Sequence, residues 1–102
     1  MNNEYIVKEL EKLPDEVADA LLVWRKATAE RERVEGYAHL KLKAEASAFG
    51  DRLTVKDLKA KVLQDVEVSN AILAEIMAET THMRLYERLM ALKKTATIRG
   101  AF

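Results

Sequence analysis

The feature that most constrains this fold is a single corner between two long stretches of regularly spaced apolar residues. Gly50 predicts the end of the first helix, because only glycine takes the left-handed conformation after a helix without a steric penalty. Thr54 predicts the start of the next helix, because its hydroxyl can accept a hydrogen bond from the backbone N–H of Asp57, whose carboxylate can point back to Thr54. We therefore expect a hairpin of two helices that turns within residues 49–57.

Composition favours helix and excludes several classes of protein. The 102 residues are 49% apolar and 33% charged, with one proline and three glycines, which is typical of long helices. There is no cysteine, so disulfide and thiolate chemistry are excluded. No apolar run approaches the ~20 residues that span a bilayer, and the N-terminus lacks the pattern of a secretory signal. We expect one all-α domain, cytoplasmic and without a membrane partner.

Proline and glycine positions divide the chain into three predicted helices. A short helix is expected at about residues 3–12, ended by Leu13-Pro14 because proline removes a hydrogen-bond donor. Pro14 then suits the first position of a long helix over about 14–49, and a second long helix is expected over about 55–95. The predicted fold is a long antiparallel helical hairpin with a short N-terminal helix, in one domain over residues 1–102.

Apolar residues recur at steps of three, four or seven along both long helices, as a buried stripe requires. On the first helix the stripe comprises Val17, Ala20, Leu21, Trp24, Ala27, Val34, Ala38, Leu42 and Phe49. On the second helix it comprises Leu58, Val62, Val66, Ser69, Ile72, Leu73, Ile76, Thr80, Met83, Tyr86 and Met90. Arg31 falls on the first stripe, within expected reach of Glu75 or Glu79, and such a half-buried pair would fix the register of the two helices.

A second apolar line lies off the main stripe of the second helix. It comprises Leu85, Leu89 and Leu92. Two helices and a short N-terminal segment cannot cover all of the apolar surface, and an exposed apolar strip usually marks an interface. We therefore expect these three leucines to form the interface of a homo-oligomer.

The zero net charge of the chain conceals an uneven distribution. The net charge is −4 in residues 1–20, +3 in residues 41–61 and +4 in residues 82–102. Residues 62–81 hold four acids and no Lys or Arg. The corner is therefore basic, and lysines there can follow a phosphate backbone without reading its sequence. The candidate contacts to nucleic acid are Lys41, Lys43, Arg52, Lys56, Lys59 and Lys61. An ordinary solvated surface is the alternative interpretation of such charge blocks.

The sequence contains no pattern that indicates catalysis or metal binding. His39 and His82 are the two histidines, and each has one carboxylate a helical turn away, which is too few ligands for a closed metal site. No glycine-rich phosphate loop and no nucleophile elbow occurs. Trp24 and Tyr37 could stack on bases, but both lie on or beside the apolar stripe and are expected in the core. We expect a protein that is not an enzyme and has no cofactor.

Four segments carry a resemblance to a known family. They are Tyr37–Ala44, Lys61–Asp65, Leu92–Lys94 and Ile98–Gly100. Together they resemble small helical proteins of phage recombination modules, and in particular the recombination mediators of T-even phages. The resemblance implies a ring-forming helper that binds single-stranded DNA and loads a recombinase, with Lys41 and Lys43 as the matching strand contacts.

Two functions from different classes remain open at this point. One is a non-enzymatic nucleic-acid accessory protein, similar to recombination mediators, that binds single-stranded DNA through the basic hairpin tips of an oligomer. The other is a structural or adaptor hairpin, for phage assembly or protein–protein interaction, with no role on nucleic acid. Salt-sensitive binding to a single strand would distinguish the two functions.

Overall fold

The computed structural model describes residues 3–50 and 54–100. Within these ranges the chain forms three helices and no strand: α1 (Asn3–Ala48), α2 (Val55–Gln64) and α3 (Val66–Arg99). α1 packs against α2 and α3, so the prediction of an all-α helical hairpin is confirmed. The chain divides into two compact units. Unit 1 comprises Met1–Trp24 and Met77–Phe102, and unit 2 comprises Arg25–Ile76.

In unit 1, the first half of α1 packs against the second half of α3. The buried residues are Ile6, Leu13, Leu89, Leu92 and Ala96, with Leu10, Val17, Leu85 and Met90 packed against them. Leu89 and Leu92 are only 5% and 6% exposed. Leu85, Leu89 and Leu92, the residues of the predicted oligomer interface, pack in the core formed with α1 of the same chain, and the oligomer stays a prediction.

α1 runs unbroken through Pro14, so the separate helix predicted over 3–12 and the break before Pro14 are wrong. The buried and half-buried seam of α1 keeps alternating steps of four and three residues across the proline, through Ile6, Leu10, Leu13, Val17 and Ala20. The missing N–H of Pro14 and its clash with the Leu10 carbonyl cost about 3 kcal/mol. Complete burial of Ile6 and Leu13 offsets this cost, because each contributes about 1.5–3 kcal/mol.

The long helix predicted over 55–95 is two helices, because the backbone leaves the helical conformation at Asp65. Asp65 has extended backbone angles, with φ −67° and ψ 130°. Its carboxylate accepts hydrogen bonds from the backbone N–H groups of Glu67 at 2.8 Å and Val68 at 3.2 Å, which caps the start of α3. α3 then continues to Arg99, beyond the predicted end.

This break rotates the buried face of α3 relative to the predicted stripe. The observed seam alternates steps of three and four residues through Val68, Ala71, Glu75, Ala78, His82, Leu85, Leu89, Leu92 and Ala96. The exposed residues include most of the predicted stripe on α3, namely Val66, Ser69, Leu73, Ile76, Thr80, Met83 and Tyr86. Val62 and Val68 are both buried and are six residues apart, whereas a continuous helix repeats its buried face after about seven residues. A stripe extended from α2 into α3 therefore falls on the wrong face of α3. The stripe predicted on α1 is confirmed except at Phe49, which is 82% exposed.

In unit 2, α1 packs against α2 and the first turns of α3. The buried residues are Val34, Ala38, Val62 and Val68, with Leu42, Ala71 and Ile72 packed against them. Both sides of the predicted corner are confirmed, because Gly50 has a φ of 74° and the Thr54 hydroxyl accepts from the Asp57 backbone N–H at 3.1 Å. α1 ends at Ala48, one residue before the predicted end.

Candidate nucleic-acid interface

The predicted strand contacts lie on the two helices that flank the corner. Lys41 and Lys43 belong to α1, and Lys56, Lys59 and Lys61 belong to α2. All five lysines are exposed, and all belong to unit 2. The sixth predicted contact, Arg52, lies outside the described residues.

None of these five corner lysines forms an ion pair with any residue that the structure describes. Cations elsewhere in the chain do form such pairs. Lys12 Nζ lies 3.6 Å from Glu9 Oε1, and Arg33 Nη2 lies 2.6 Å from Glu30 Oε1. The corner lysines therefore present charges without a direct partner, which is the property that a phosphate-binding surface requires.

Two of the corner lysines line separate grooves beside α1. The Gly36 groove, of about 460 Å³, lies between α1 and α2 and is lined by Glu32, Glu35, Gly36, His39, Lys59, Val62 and Leu63. The Tyr37 groove, of about 390 Å³, is lined by Val34, Tyr37, Ala38, Lys41, Asp65, Val66 and Glu67. Lys41 and Lys59 therefore line different grooves, and Lys43, Lys56 and Lys61 line neither of the two.

Tyr37 is 64% exposed, so its predicted place in the core is wrong. It precedes Lys41 by one helical turn, and both side chains line the Tyr37 groove. An exposed aromatic ring beside a cation is the combination with which proteins bind single strands. Asp65 and Glu67 form the other wall of this groove, where the Asp65 carboxylate is engaged in capping α3. Phosphate groups would therefore lie on the Lys41 side.

Arginines neutralise several acids of unit 2. Arg31 Nε donates to Glu75 Oε1 at 2.9 Å, and Arg31 Nη1 donates to Glu35 Oε2 at 3.0 Å. The hydrogen bond from Arg31 lowers the pKa of Glu75 below its usual value, and the same bond raises the pKa of Arg31. Arg33 lowers the pKa of Glu30 in the same way. These carboxylates are already compensated, so they oppose an approaching phosphate less than free acids would.

The second basic block of the sequence lies in unit 1, beside the acidic start of α1. Arg88 Nη2 donates to Glu9 Oε2 at 2.9 Å and to the Tyr5 hydroxyl at 3.0 Å. The antiparallel pairing of α1 and α3 brings the −4 balance of residues 1–20 beside the +4 balance of residues 82–102. These blocks offset each other, so the corner is the stronger candidate for an anionic ligand.

The two histidines belong to different units. His39 lines the Gly36 groove. In unit 1 the His82 ring lies 5.5 Å from that of Trp24 and 6.2 Å from that of Tyr86, between ring centroids, and its buried Nδ1 has no hydrogen-bond partner. Over residues 3–50 and 54–100, no group of three His, Asp or Glu side chains could hold a metal ion. In the same ranges, no helix has the length and apolar character needed to cross a bilayer.

No protein-family model, no curated protein and no solved structure matches this chain. The resemblance to phage recombination mediators therefore stays a prediction. Function is inferred from the geometry and charge of the corner lysines and of the two grooves in unit 2.

Proposed function

We propose that this chain is a non-enzymatic accessory protein that binds single-stranded nucleic acid at the corner of its hairpin. The observation that supports the proposal most is the group of five exposed corner lysines that have no ion-pair partner among the described residues. The resemblance to recombination mediators favours single-stranded DNA as the ligand and a recombinase as the protein partner. In an oligomer, several corners would contact one strand, and linked weak contacts gain affinity.

Binding at such a surface follows from charge and stacking. Lysine side chains that contact phosphates release the counterions condensed on the strand, so affinity falls as salt rises. Phosphate contacts carry no base sequence, and we expect strands of different sequence to bind alike. The exposed face of Tyr37 can stack on a base that is not already stacked within a duplex, which favours single strands over double strands.

Fluorescence anisotropy with a labelled oligo(dT) strand tests the contribution of the lysines. The plot of log K against log salt should have a slope of about −0.7 for each phosphate neutralised, so Lys41→Gln/Lys43→Gln should reduce its magnitude by about 1.4. The matched control is Lys8→Gln/Lys12→Gln, which removes two lysines that already pair with Glu4 and Glu9. Binding that is absent at low salt, or unaffected by salt, would overturn the proposal.

Replacement of Tyr37 tests stacking separately from charge. Tyr37→Ala should weaken strand binding by about 1–3 kcal/mol, because one base loses its aromatic platform. Tyr37→Phe keeps the ring and should retain the affinity. Neither variant changes a charge, so the dependence of affinity on salt should be the same as in the unsubstituted protein. If Tyr37→Ala bound the strand as tightly as the unsubstituted protein, this ring would be excluded as a strand contact.

An adaptor that binds another protein is the second candidate function. Exposed apolar side chains in unit 2, including Leu40 and Val66, favour it, because apolar patches often mark protein interfaces. Unchanged behaviour of Lys41→Gln/Lys43→Gln, together with no binding to any strand, would favour the adaptor over the nucleic-acid accessory protein.

A further inference from the structure

We propose that the Gly36 groove of unit 2 binds a second copy of this chain, in a two-fold symmetric dimer in which the two grooves face each other. The surface involved is formed by the groove residues Gly36, Val62 and Leu63, with Glu32 on one side and Lys59 on the other. Lys41 and Tyr37 line the other groove, and Lys59 is the one corner lysine in the lining of this groove, so the dimer is tested without nucleic acid.

Gly36 is the first residue that indicates contact with a second molecule. It lies in the interior of α1, where glycine destabilises a helix relative to alanine. Nothing in the protomer requires a glycine at this position, because an added Cβ would meet no atom within 4 Å. The space in front of Gly36 opens into the groove, where the absence of a side chain lets the backbone of a second helix approach closely.

Unit 2 exposes several large apolar side chains, one of them in the groove wall. Leu63 is 58% exposed in the groove wall, and the Ser69 hydroxyl donates to its carbonyl at 3.2 Å, which joins the end of α2 to α3. Farther along α3, Leu73 and Ile76 are also more than half exposed. Exposed apolar side chains of this kind often mark an interface.

The charges beside the groove are arranged for self-association. Glu32 is on α1 and Lys59 is on α2, so the groove has an acid on one side and a base on the other. A two-fold axis through the groove places the α1 side of one copy opposite the α2 side of the second copy. Glu32 of each protomer then faces Lys59 of the other. Within one copy the Glu32 carboxylate lies 3.9 Å from Arg31 Nη2, and no ion pair joins it to Lys59.

Sedimentation velocity over a range of protein concentrations, without nucleic acid, tests the dimer. The unsubstituted chain should show a mass that rises from one to two copies with concentration. Leu63→Glu should abolish association, because it places a charge in the apolar contact. The matched control is Leu40→Glu, another exposed leucine that does not line the groove, and it should associate normally. A chain that stays monomeric at every concentration, or a dimer lost in Leu40→Glu but kept in Leu63→Glu, would overturn the proposal.

Charge reversal provides a test that loss of folding cannot imitate. Lys59→Glu and Glu32→Lys should each raise the dimer dissociation constant by about tenfold or more, because like charges then face each other. The double variant Glu32→Lys/Lys59→Glu restores opposite charges across the axis and should recover association. Single variants without effect, or a double variant that stays as weak as the singles, would exclude this arrangement.

Gly36→Ala separates the protomer from the dimer in one variant. We expect higher thermal stability in dilute solution, because alanine favours helix and its Cβ meets open space. We expect weaker association at the same time, because the methyl group holds the second backbone away. A variant that gains stability and associates as before would contradict the close approach at Gly36.

Discussion

Arg31 on α1 donates from Nε to Oε1 of Glu75 on α3 at 2.9 Å, and both residues occupy positions of the buried seams of unit 2. Arg31 also holds Glu35, one helical turn away, at 3.0 Å. A half-buried charge is costly when it lacks its partner, so a shift of α3 by one residue along α1 would be penalised. The pair therefore sets the register of the hairpin, as a polar residue does within a coiled coil.

The stability contributed by the Arg31–Glu75 pair should depend on pH. The pKa of Glu75 is lower in the folded state than in the unfolded state. Its contribution to folding stability is therefore present above the unfolded-state pKa of about 4.3 and is lost as the pH falls through the folded-state pKa. We expect Glu75→Gln to unfold at a lower temperature at pH 7, with a difference from the unsubstituted chain that shrinks below about pH 4. Thermal unfolding followed by circular dichroism over this pH range measures the difference in melting temperature.

Glu30→Gln is the matched control for Glu75→Gln. Glu30 bonds Arg33 three residues away on the exposed face of α1, and exposed pairs of this kind contribute little to stability. The control should therefore lower the melting temperature at pH 7 less than Glu75→Gln does. A Glu75→Gln difference that stays constant from neutral to acid pH would contradict the assigned role of this carboxylate.

The observed seam of α3 predicts opposite results for two large apolar residues. Leu89 is 5% exposed in the core of unit 1, whereas Met83, a member of the predicted stripe, is 50% exposed. Leu89→Ala should destabilise the fold by about 2–5 kcal/mol through lost burial and a cavity. Met83→Ala should change stability by about 0.5 kcal/mol or less. Urea denaturation measures both, and a larger loss for Met83→Ala would mean that the predicted stripe is the true seam.

Most of the fold was predictable because α1 has one apolar stripe and the corner has strong local signals. The stripe residues of α1 from Val17 to Leu42, the turn at Gly50 and the cap at Thr54 were predicted correctly. α3 was harder because it carries two apolar lines, and local sequence does not show which one α1 covers. The break at Asp65 determines which line is buried, because the aspartate carboxylate caps α3 there and the helix does not continue from α2.

The candidate site was predictable as a set of residues but not as a surface. Exposure of the five corner lysines agrees with the charge pattern, yet the places of Lys41 and Lys59 in two different grooves depend on how α2 and α3 lie against α1. Tyr37 was missed because it adjoins Ala38 of the buried stripe, and one residue is 100° of helix rotation. The open surroundings of Gly36 depend on the packing of α2 against α1, which local sequence does not show.

Asp65 should be important for stability although it is not in the core. Asp65→Ala removes the carboxylate that accepts from the N–H groups of Glu67 and Val68, and should cost about 1 kcal/mol, within a range of about 0.5–2. Asp65→Asn keeps a side-chain oxygen and should retain most of the stability. Chemical denaturation compares the two. Equal losses would show that charge, rather than the capping bond, is responsible.

Pro14 is the position at which we expect a substitution to increase stability. α1 is helical on both sides of Pro14, so alanine would restore the hydrogen bond to the Leu10 carbonyl and remove the clash of the ring. The gain should be about 2 kcal/mol, because the helix penalty of about 3 is reduced by the greater freedom of alanine in the unfolded chain. Pro14→Gly should give a smaller gain, because glycine is about 1 kcal/mol less favourable in a helix than alanine. Denaturant midpoints should therefore rise in the order proline, glycine, alanine, whereas a loss of stability in Pro14→Ala would indicate that the chain needs a break at this position.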